Sequence, residues 1–146
     1  MNRRKARVAA FQLVFEMNLN SMDSSEALEL AKEIGEPETD EFSNALVEST
    51  WNNKVAIEAM VTPHLKGWRI DRISKVALAV LQISCAQLLY FDDISDSIVI
   101  NEAVEIAKKF GADDDYSFVN GVLGNVVRAS KPVEDVFSSG EILAEE

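Results

Sequence analysis

The 146-residue sequence predicts an all-α domain. Apolar residues recur at the 3.6-residue spacing of amphipathic helices along most of the chain, and no sustained alternation typical of β-strands occurs. Residues that cap or end helices stand between these apolar segments. Hydrophobic residues make up 47% and charged residues 27%, as in globular domains. We therefore predict one domain over residues 1–132 and a weakly structured acidic tail over residues 133–146.

The first half of the chain predicts three helices, and local signals mark their ends. Asp23 and Glu26 have the spacing of a capping box, and Gly35 is a natural helix stop. Thr39 is the expected cap of the third helix. This helix should end near Thr62, because a residue before proline is disfavoured in the helical region. The three predicted helices are Arg4–Asn18, Asp23–Gly35 and Thr39–Thr62.

The second half predicts a central helix and two further helices. Residues 67–68 open a short helical turn that leads into the central helix, whose wide apolar arc indicates neighbours on several sides. Residues 92–93, both aspartate, break it. Ser95 caps the next helix, and Gly111 stops it. The last helix starts within residues 113–115, since acidic side chains suit the positive end of a helix dipole.

Composition excludes most catalytic and metal chemistry. The chain has one histidine, His64, and one cysteine, Cys85, which are too few for the usual zinc ligand sets. Cys85 lies in an apolar segment, where burial makes a thiol inert. The apolar stretches are far shorter than the ~20 residues of a membrane span, and no secretion signal is evident. We expect a cytoplasmic protein that is not an enzyme, holds no metal or cofactor and avoids membranes.

Charge is distributed unevenly along the chain. The formal net charge is −11, yet the first seven residues contain four cations, so the remainder carries −15. Cations oppose the helix dipole at an N-terminus by ~0.3 to 1 kcal/mol each, and a phosphate backbone would offset that cost. We therefore predict that an RNA backbone binds these residues, although a frayed basic start without a partner remains an alternative. The four cations are Arg3, Arg4, Lys5 and Arg7. All four are expected outside the buried periodicity, so that alanine at these positions should change stability little.

The last helix contains a second candidate site. Tyr116, Phe118 and Asn120 could stack on and hydrogen-bond to unpaired bases, although Phe118 also falls on the apolar stripe of that helix. Gly121 and Gly124 each cost up to ~1 kcal/mol in a helix interior relative to alanine. Such glycines permit close approach, here either of another helix or of a ligand.

Several segments resemble the bacterial transcription antitermination factor NusB family. The strongest are INEAVEIAKKFG at residues 100–111 and FVNGVL at residues 118–123. The arginine-rich start RRKAR at residues 3–7 and the segment LLYFDD at residues 88–93 are also similar. The resemblance covers roughly residues 3–129.

The resemblance implies a fold of about seven helices in two small bundles packed against each other. It also implies binding to boxA, a single-stranded element of nascent ribosomal RNA transcripts, together with the ribosomal protein NusE. In that function, the basic start would hold the RNA backbone, and Phe118 and Asn120 would contact bases. Tyr90, Asp92 and Asp93 would help to dock NusE, and the pair would join the elongating polymerase complex. The aspartates at residues 113–115 would oppose RNA near this face.

Two other functions stay open at this point. The chain could be an acidic adaptor that binds proteins only, or a domain related to the NusB-like part of RNA cytosine methyltransferases. The chain has no glycine-rich loop for a methyl donor, which disfavours the second alternative. Whether the free protein forms a homodimer is also left open.

Overall fold

The computed structural model describes residues 1–130, which contain seven α-helices, one short 3₁₀ helix and no strand. The α-helices are α1 (Arg3–Asn20), α2 (Ser24–Ile34), α3 (Glu41–Asn52), α4 (Lys54–Val61), α5 (Lys75–Tyr90), α6 (Asp96–Phe110) and α7 (Asp115–Ser130). The 3₁₀ helix is Thr62–His64. The prediction of an all-α fold is confirmed. The predicted acidic tail, residues 133–146, lies outside the described residues.

Helix α5 is the centre of the fold. Helices α1, α2 and α3 pack together on one side, α6 and α7 pack on the other, and α5 contacts members of both groups. Nearly all of α5 from Ala77 to Gln87 is buried, which explains why its apolar arc is so wide. Each large apolar side chain buried there, such as Leu81 or Ile83, stabilises the fold by ~1.5 to 3 kcal/mol.

Cys85 belongs to this core. Its side chain is 0% exposed, and burial raises the pKa of the thiol to about 12. The thiol therefore stays protonated near neutral pH and acts as a packing group. The prediction of a buried cysteine is confirmed.

The local signals placed most helix ends correctly. Asp23 and Glu26 form the predicted capping box, in which each side chain accepts a hydrogen bond from the backbone N–H of the other, at 2.8 and 2.9 Å. Gly35 ends α2 in the left-handed conformation, with φ at +86°. Ser95 caps α6 by accepting from the backbone N–H of Ile98 at 3.4 Å.

The predicted third helix differs from the observed structure at its start. Asp40, not Thr39, is the cap of α3. Its carboxylate accepts from the Ser43 N–H at 2.9 Å, and the Ser43 hydroxyl accepts from the Asp40 N–H at 2.8 Å. The reciprocal pair with Ser43, three residues on, satisfies two free backbone donors at once.

The same predicted helix is also divided. Asn53 leaves the helical conformation, with φ at −115°, and its side-chain amide donates to the Ser49 carbonyl at 2.8 Å. Asparagine favours such local bonds over helix continuation. Helix α4 ends at Val61, which confirms the predicted end near Thr62, but Thr62 itself keeps helical angles and Pro63 lies in the following 3₁₀ helix. A proline in a first turn removes no helical hydrogen bond.

The segment between the 3₁₀ helix and α5 is not the predicted helical turn. It consists of two hydrogen-bonded turns, with Trp68 N–H donating to the Leu65 carbonyl and Arg72 N–H to the Arg69 carbonyl, at 3.0 and 2.9 Å. Ser74 then caps α5. This segment leaves Trp68 59% exposed.

No helix within residues 1–130 combines the length and the apolar character that crossing a membrane requires.

Candidate nucleic-acid interface

The exposed cations at the start of α1 are Arg3, Arg4 and Lys5, which we call the basic start. Asn2 caps the helix by accepting from the Lys5 N–H at 2.8 Å. The Arg3 guanidinium lies 4.1 Å from the ring centroid of Phe42 on α3, and Lys5 makes no ion pair with any described residue. The basic start therefore combines unpaired backbone N–H groups with side-chain charge, as anion sites do.

Arg4 is positioned by Glu102 on α6. Its Nε and Nη2 atoms donate to the two Glu102 carboxylate oxygens at 3.1 and 2.8 Å. The Arg4 side chain stays 68% exposed, while Glu102 is 15% exposed. The hydrogen bond from Arg4 lowers the pKa of Glu102, and the same pair raises the pKa of Arg4. These two hydrogen bonds hold the guanidinium at the surface, and its other N–H groups do not bond to Glu102.

Arg7 is buried, contrary to the expectation that it lies outside the apolar periodicity. It is 5% exposed, and its Nε donates to Gln87 Oε1 on α5 at 2.7 Å. Its Nη1 lies 4.0 Å from Glu102 Oε1, and its guanidinium carbon lies 5.4 Å from the Phe42 centroid. Burial lowers the pKa of Arg7. Side chains of α3, α5 and α6 cover Arg7, so it stabilises the fold, while the basic start faces solvent.

Glu102→Gln should destabilise the protein in a pH-dependent way. The lowered pKa of Glu102 means that its carboxylate stabilises the fold above the ordinary value of 4.5, and this contribution is lost as the pH falls through the lowered pKa. The variant should therefore be less stable than the native chain at neutral pH, and the difference should shrink in acid. Urea unfolding at neutral pH and at about pH 3 measures it.

Glu105→Gln is the matched control for that experiment. Glu105 is an exposed carboxylate one turn away whose only ion pair within residues 1–130 is with Lys108, at 3.9 Å. It should change stability little at either pH. Equal, pH-independent losses for the two variants would contradict the role given to Glu102.

A groove between α6 and α7 begins at Arg4. We call it the α6–α7 groove; it encloses about 470 Å³ and is lined by Arg4, Asn101, Glu102, Val104, Glu105, Lys108, Tyr116, Ser117 and Asn120. The Lys108 ammonium lies 5.1 Å from the ring centroid of Tyr116, which is 40% exposed. The predicted residues Arg4 and Asn120 thus share one groove, which offers a cation, an amide and an aromatic face.

Sequence reasoning missed Asn101 and Lys108 as members of this groove. They are seven residues apart, so they lie on one face of α6. That spacing could have indicated a shared polar face on α6. Only the packing of α7 beside this face distinguishes a groove from an ordinary solvated surface.

Phe118 does not lie in that groove. It is half-buried against the core and lines a separate pocket of about 290 Å³ on the other side of α7. We call this the Trp68 pocket; its lining is Trp68, Arg72, Ile73, Ser74, Ala112, Asp114, Asp115 and Phe118. The structure therefore separates Phe118 from Asn120, two residues predicted to act together.

Of the three aspartates expected to oppose RNA, one is internal. Asp115 is 8% exposed, and its carboxylate accepts from the Ala112 N–H at 2.9 Å and from the Ser74 hydroxyl at 3.1 Å. It joins the starts of α5 and α7. Asp113 and Asp114 are exposed, so they alone present acid to a ligand there.

Gly121 lies next to the side chain of Lys66 and not next to another of the described helices. A Cβ at Gly121 would lie 2.8 Å from the Lys66 ammonium, and one at Gly124 would lie 3.5 Å from the Arg128 guanidinium. Neither glycine meets a neighbouring helix backbone, so the helix alternative of the prediction is wrong in the described residues. Gly121 instead leaves room for a cation on the surface of α7.

The predicted partner residues lie at the end of α5. Tyr90 is 45% exposed, and Asp92 and Asp93 are exposed in the turn that follows. Phe91, which lies between Tyr90 and Asp92, turns inward and packs edge-on against Phe42, with 5.6 Å between the two ring centroids. Because Arg3 lies on the same Phe42 ring, this ring joins the basic start to the predicted partner edge.

Residues 1–130 contain no group of three or more histidine, cysteine, aspartate or glutamate side chains that could hold a metal ion.

Comparison with known proteins places this arrangement in a class. The fold matches solved structures of antitermination factors. NusB from T. maritima has a TM-score of 0.76 at 27% identity, covering 93% of this chain and 97% of that one. A crystal structure of the antitermination factors NusB and NusE in complex with dsRNA also matches, with a TM-score of 0.76 at 26% identity, covering 87% of this chain and 96% of that one.

The sequence comparisons agree. The model of the NusB family matches residues 4–128. The transcription antitermination protein NusB of Listeria monocytogenes serotype 4a (strain HCC23) is 40% identical over 131 residues, which are 90% of this chain and 100% of the relative. The chain belongs to the NusB family, whose members are transcription antitermination factors and not enzymes.

Proposed function

We propose that this protein binds boxA-type single-stranded RNA of nascent ribosomal RNA transcripts together with NusE, as an adaptor of the elongating RNA polymerase. The observation that carries the proposal is the basic start, exposed beside the α6–α7 groove in a chain of net charge −11. A nascent bacterial transcript is in the cytoplasm, so the proposed function places the protein there.

The RNA backbone would bind to the basic start. Arg3 and Lys5 make no ion pair within residues 1–130, and Arg4 keeps N–H donors beyond the two that Glu102 accepts. Arg7, predicted to join them, has too little exposed surface to reach several phosphate oxygens. We therefore assign phosphate contact to the three exposed cations.

Bases would enter the α6–α7 groove. Tyr116 offers a ring on which an unpaired base can stack, and Asn120 offers both a donor and an acceptor to a base edge. Lys108 lies beside the same ring and could contact the adjoining phosphate. Stacking on a side chain requires an unpaired base, which favours a single strand over a duplex.

NusE would dock on the edge formed by Tyr90, Asp92 and Asp93. A basic ribosomal protein suits the acidic surface electrostatically, and one solved relative is described as NusB and NusE in complex with dsRNA. Leu89 and Ile98, which are 38% and 48% exposed, add apolar surface nearby. If a homodimer forms through this edge, it would compete with NusE.

RNA and NusE should bind cooperatively. The acidic surface weakens RNA binding by the protein alone. A basic partner would make the electrostatic potential near the RNA more positive. A tenfold increase in RNA affinity caused by NusE requires a tenfold increase in NusE affinity caused by RNA, a coupling of ~1.4 kcal/mol. Fluorescence titration with boxA RNA, with and without saturating NusE and at two salt concentrations, measures both effects.

The titration also separates the alternatives. Higher RNA affinity with NusE and slower NusE association at high salt would support the proposal. Absence of RNA binding both with and without NusE would leave the adaptor that binds proteins only.

A further inference from the structure

A second basic and aromatic surface lies outside the residues assigned so far. Residues 66–75, which follow the 3₁₀ helix and end with the first residue of α5, contain four of the chain's 14 basic residues and a single acidic one, Asp71. Asp71 is bound to Arg69 at 2.8 Å. Lys66, Arg72 and Lys75 make no ion pair with any residue from 1 to 130. In a chain of net charge −11, this concentration of cations in the segment that contains the exposed Trp68 indicates an anionic, flat ligand.

The Trp68 pocket has the size and lining for one flat ring. Its volume, about 290 Å³, is at the lower limit of the roughly 300 to 1,000 Å³ typical of sites for drug-sized molecules. Trp68 and Phe118 supply aromatic faces, Ile73 adds apolar surface and Arg72 supplies charge. Asp115 is already bonded to Ser74 and Ala112, which leaves Asp114 as the exposed acid of the lining.

Helix α7 connects this pocket to the α6–α7 groove. Tyr116 and Asn120, four residues apart, share the stripe of α7 that faces the groove. Phe118 faces the Trp68 pocket, which Asp114, just before α7, also lines. In the first two turns of α7, Ser117 and Gly121 lie between these two faces, so no large side chain of α7 separates the two sites there.

Lys66 marks the crossing point. Its ammonium lies over Gly121, where even a Cβ would come within 2.8 Å. A phosphate passing over α7 between the two sites would meet this ammonium. The absence of a side chain at Gly121 is what allows a cation to lie so close to the helix.

We propose that Trp68 and Phe118 bind an unpaired base of the same RNA strand that the basic start holds, with Lys66 and Arg72 contacting its phosphates. This inference rests on the proposed function and extends it with a second base site on the far side of α7. It also gives Phe118 a base contact that is separate from that of Asn120. An acidic peptide could use the cations, but it would not need the two aromatic faces.

The two tryptophans of the chain allow a direct test. In Trp51→Phe, Trp68 is the single tryptophan, and in Trp68→Phe it is Trp51, which is 39% exposed at the end of α3. The probe is a boxA RNA of about 12 nucleotides, within the ~4 to 16 that single-strand sites cover. We expect the RNA to quench the emission of Trp68 and leave that of Trp51 unchanged.

Affinity provides the second measurement. Trp68→Ala should weaken RNA binding about 5- to 150-fold, the equivalent of losing one stacked base at ~1 to 3 kcal/mol. Trp68→Phe should retain most of the affinity because it keeps a ring. Trp51→Ala is the matched control, since it removes an exposed tryptophan elsewhere, and it should bind normally. Circular dichroism checks that each variant is folded.

The outcomes distinguish this inference from the proposed function. If RNA binds and depends on the basic start, but Trp68→Ala binds normally and Trp68 emission stays constant, the second base site is overturned and the proposed function stands. If no RNA binds with or without NusE, the proposed function itself fails. Quenching of Trp68 by an acidic peptide but not by RNA would overturn the inference in favour of a protein ligand.

Discussion

Replacing Arg3, Arg4 and Lys5 together by alanine should weaken single-stranded RNA binding by about 100-fold at 0.1 M salt. Each phosphate neutralised on a single strand contributes roughly 0.7 to the slope of log affinity against log salt, which at this concentration is ~0.7 log unit per contact. The slope itself should fall by about 2. All three side chains are exposed, so the variant should remain folded. Filter binding over a series of salt concentrations measures both quantities.

The matched control removes three cations elsewhere. Lys32, Lys54 and Arg128 are exposed and lie away from the basic start, and changing them to alanine alters the net charge by the same amount. If binding follows net charge alone, both triple variants should lose affinity equally. Such equality, or an unchanged salt slope in the first variant, would refute the basic start as the phosphate site.

Arg7→Ala should lower the free energy of unfolding by about 2 to 3 kcal/mol. The change removes a buried hydrogen bond to a charged group, worth ~1.5 to 3 kcal/mol, and leaves Gln87 Oε1 without that donor in the core. It also removes the packing of the arginine stem. Urea unfolding measures the loss, and RNA affinity per folded molecule should stay close to that of the native chain.

Lys5→Ala is the counterpart of Arg7→Ala. It removes the same charge two residues earlier, from an exposed side chain without an ion pair in the described residues. It should leave stability unchanged and weaken RNA binding. The two variants therefore have opposite expected effects. If Arg7→Ala were as stable as the native chain but bound RNA poorly, Arg7 would be a phosphate ligand after all.

Local chemistry made much of the fold predictable. The capping box at Asp23 and Glu26, the glycine stop at Gly35 and the cap at Ser95 each involve residues within a few positions, so the sequence contains the whole interaction. The same holds for the apolar face of each helix. The errors arose where two local signals compete, as when Asp40 displaced Thr39 as a cap and Asn53 ended a helix whose apolar pattern continues.

The candidate site was less predictable, because it is made by helices distant in sequence. The four cations near the start of the chain look alike as a sequence. Glu102, 98 residues from Arg4, turns one of them into a positioned surface group, and Gln87, 80 residues from Arg7, holds another in the core. Burial of a charged side chain depends on such partners, and helical periodicity does not reveal them.

The sequence by itself determined the helical fold, most helix ends, the buried cysteine and the family, because capping, periodicity and motifs are local properties of the chain. Only the tertiary structure decided which cations reach solvent and which aromatic rings share a pocket. It separated Phe118 from Asn120 across α7 and brought Trp68 to Phe118 from 50 residues earlier in the chain. The physical reason is that a binding surface depends on how helices pack, and packing joins residues that are far apart in the sequence.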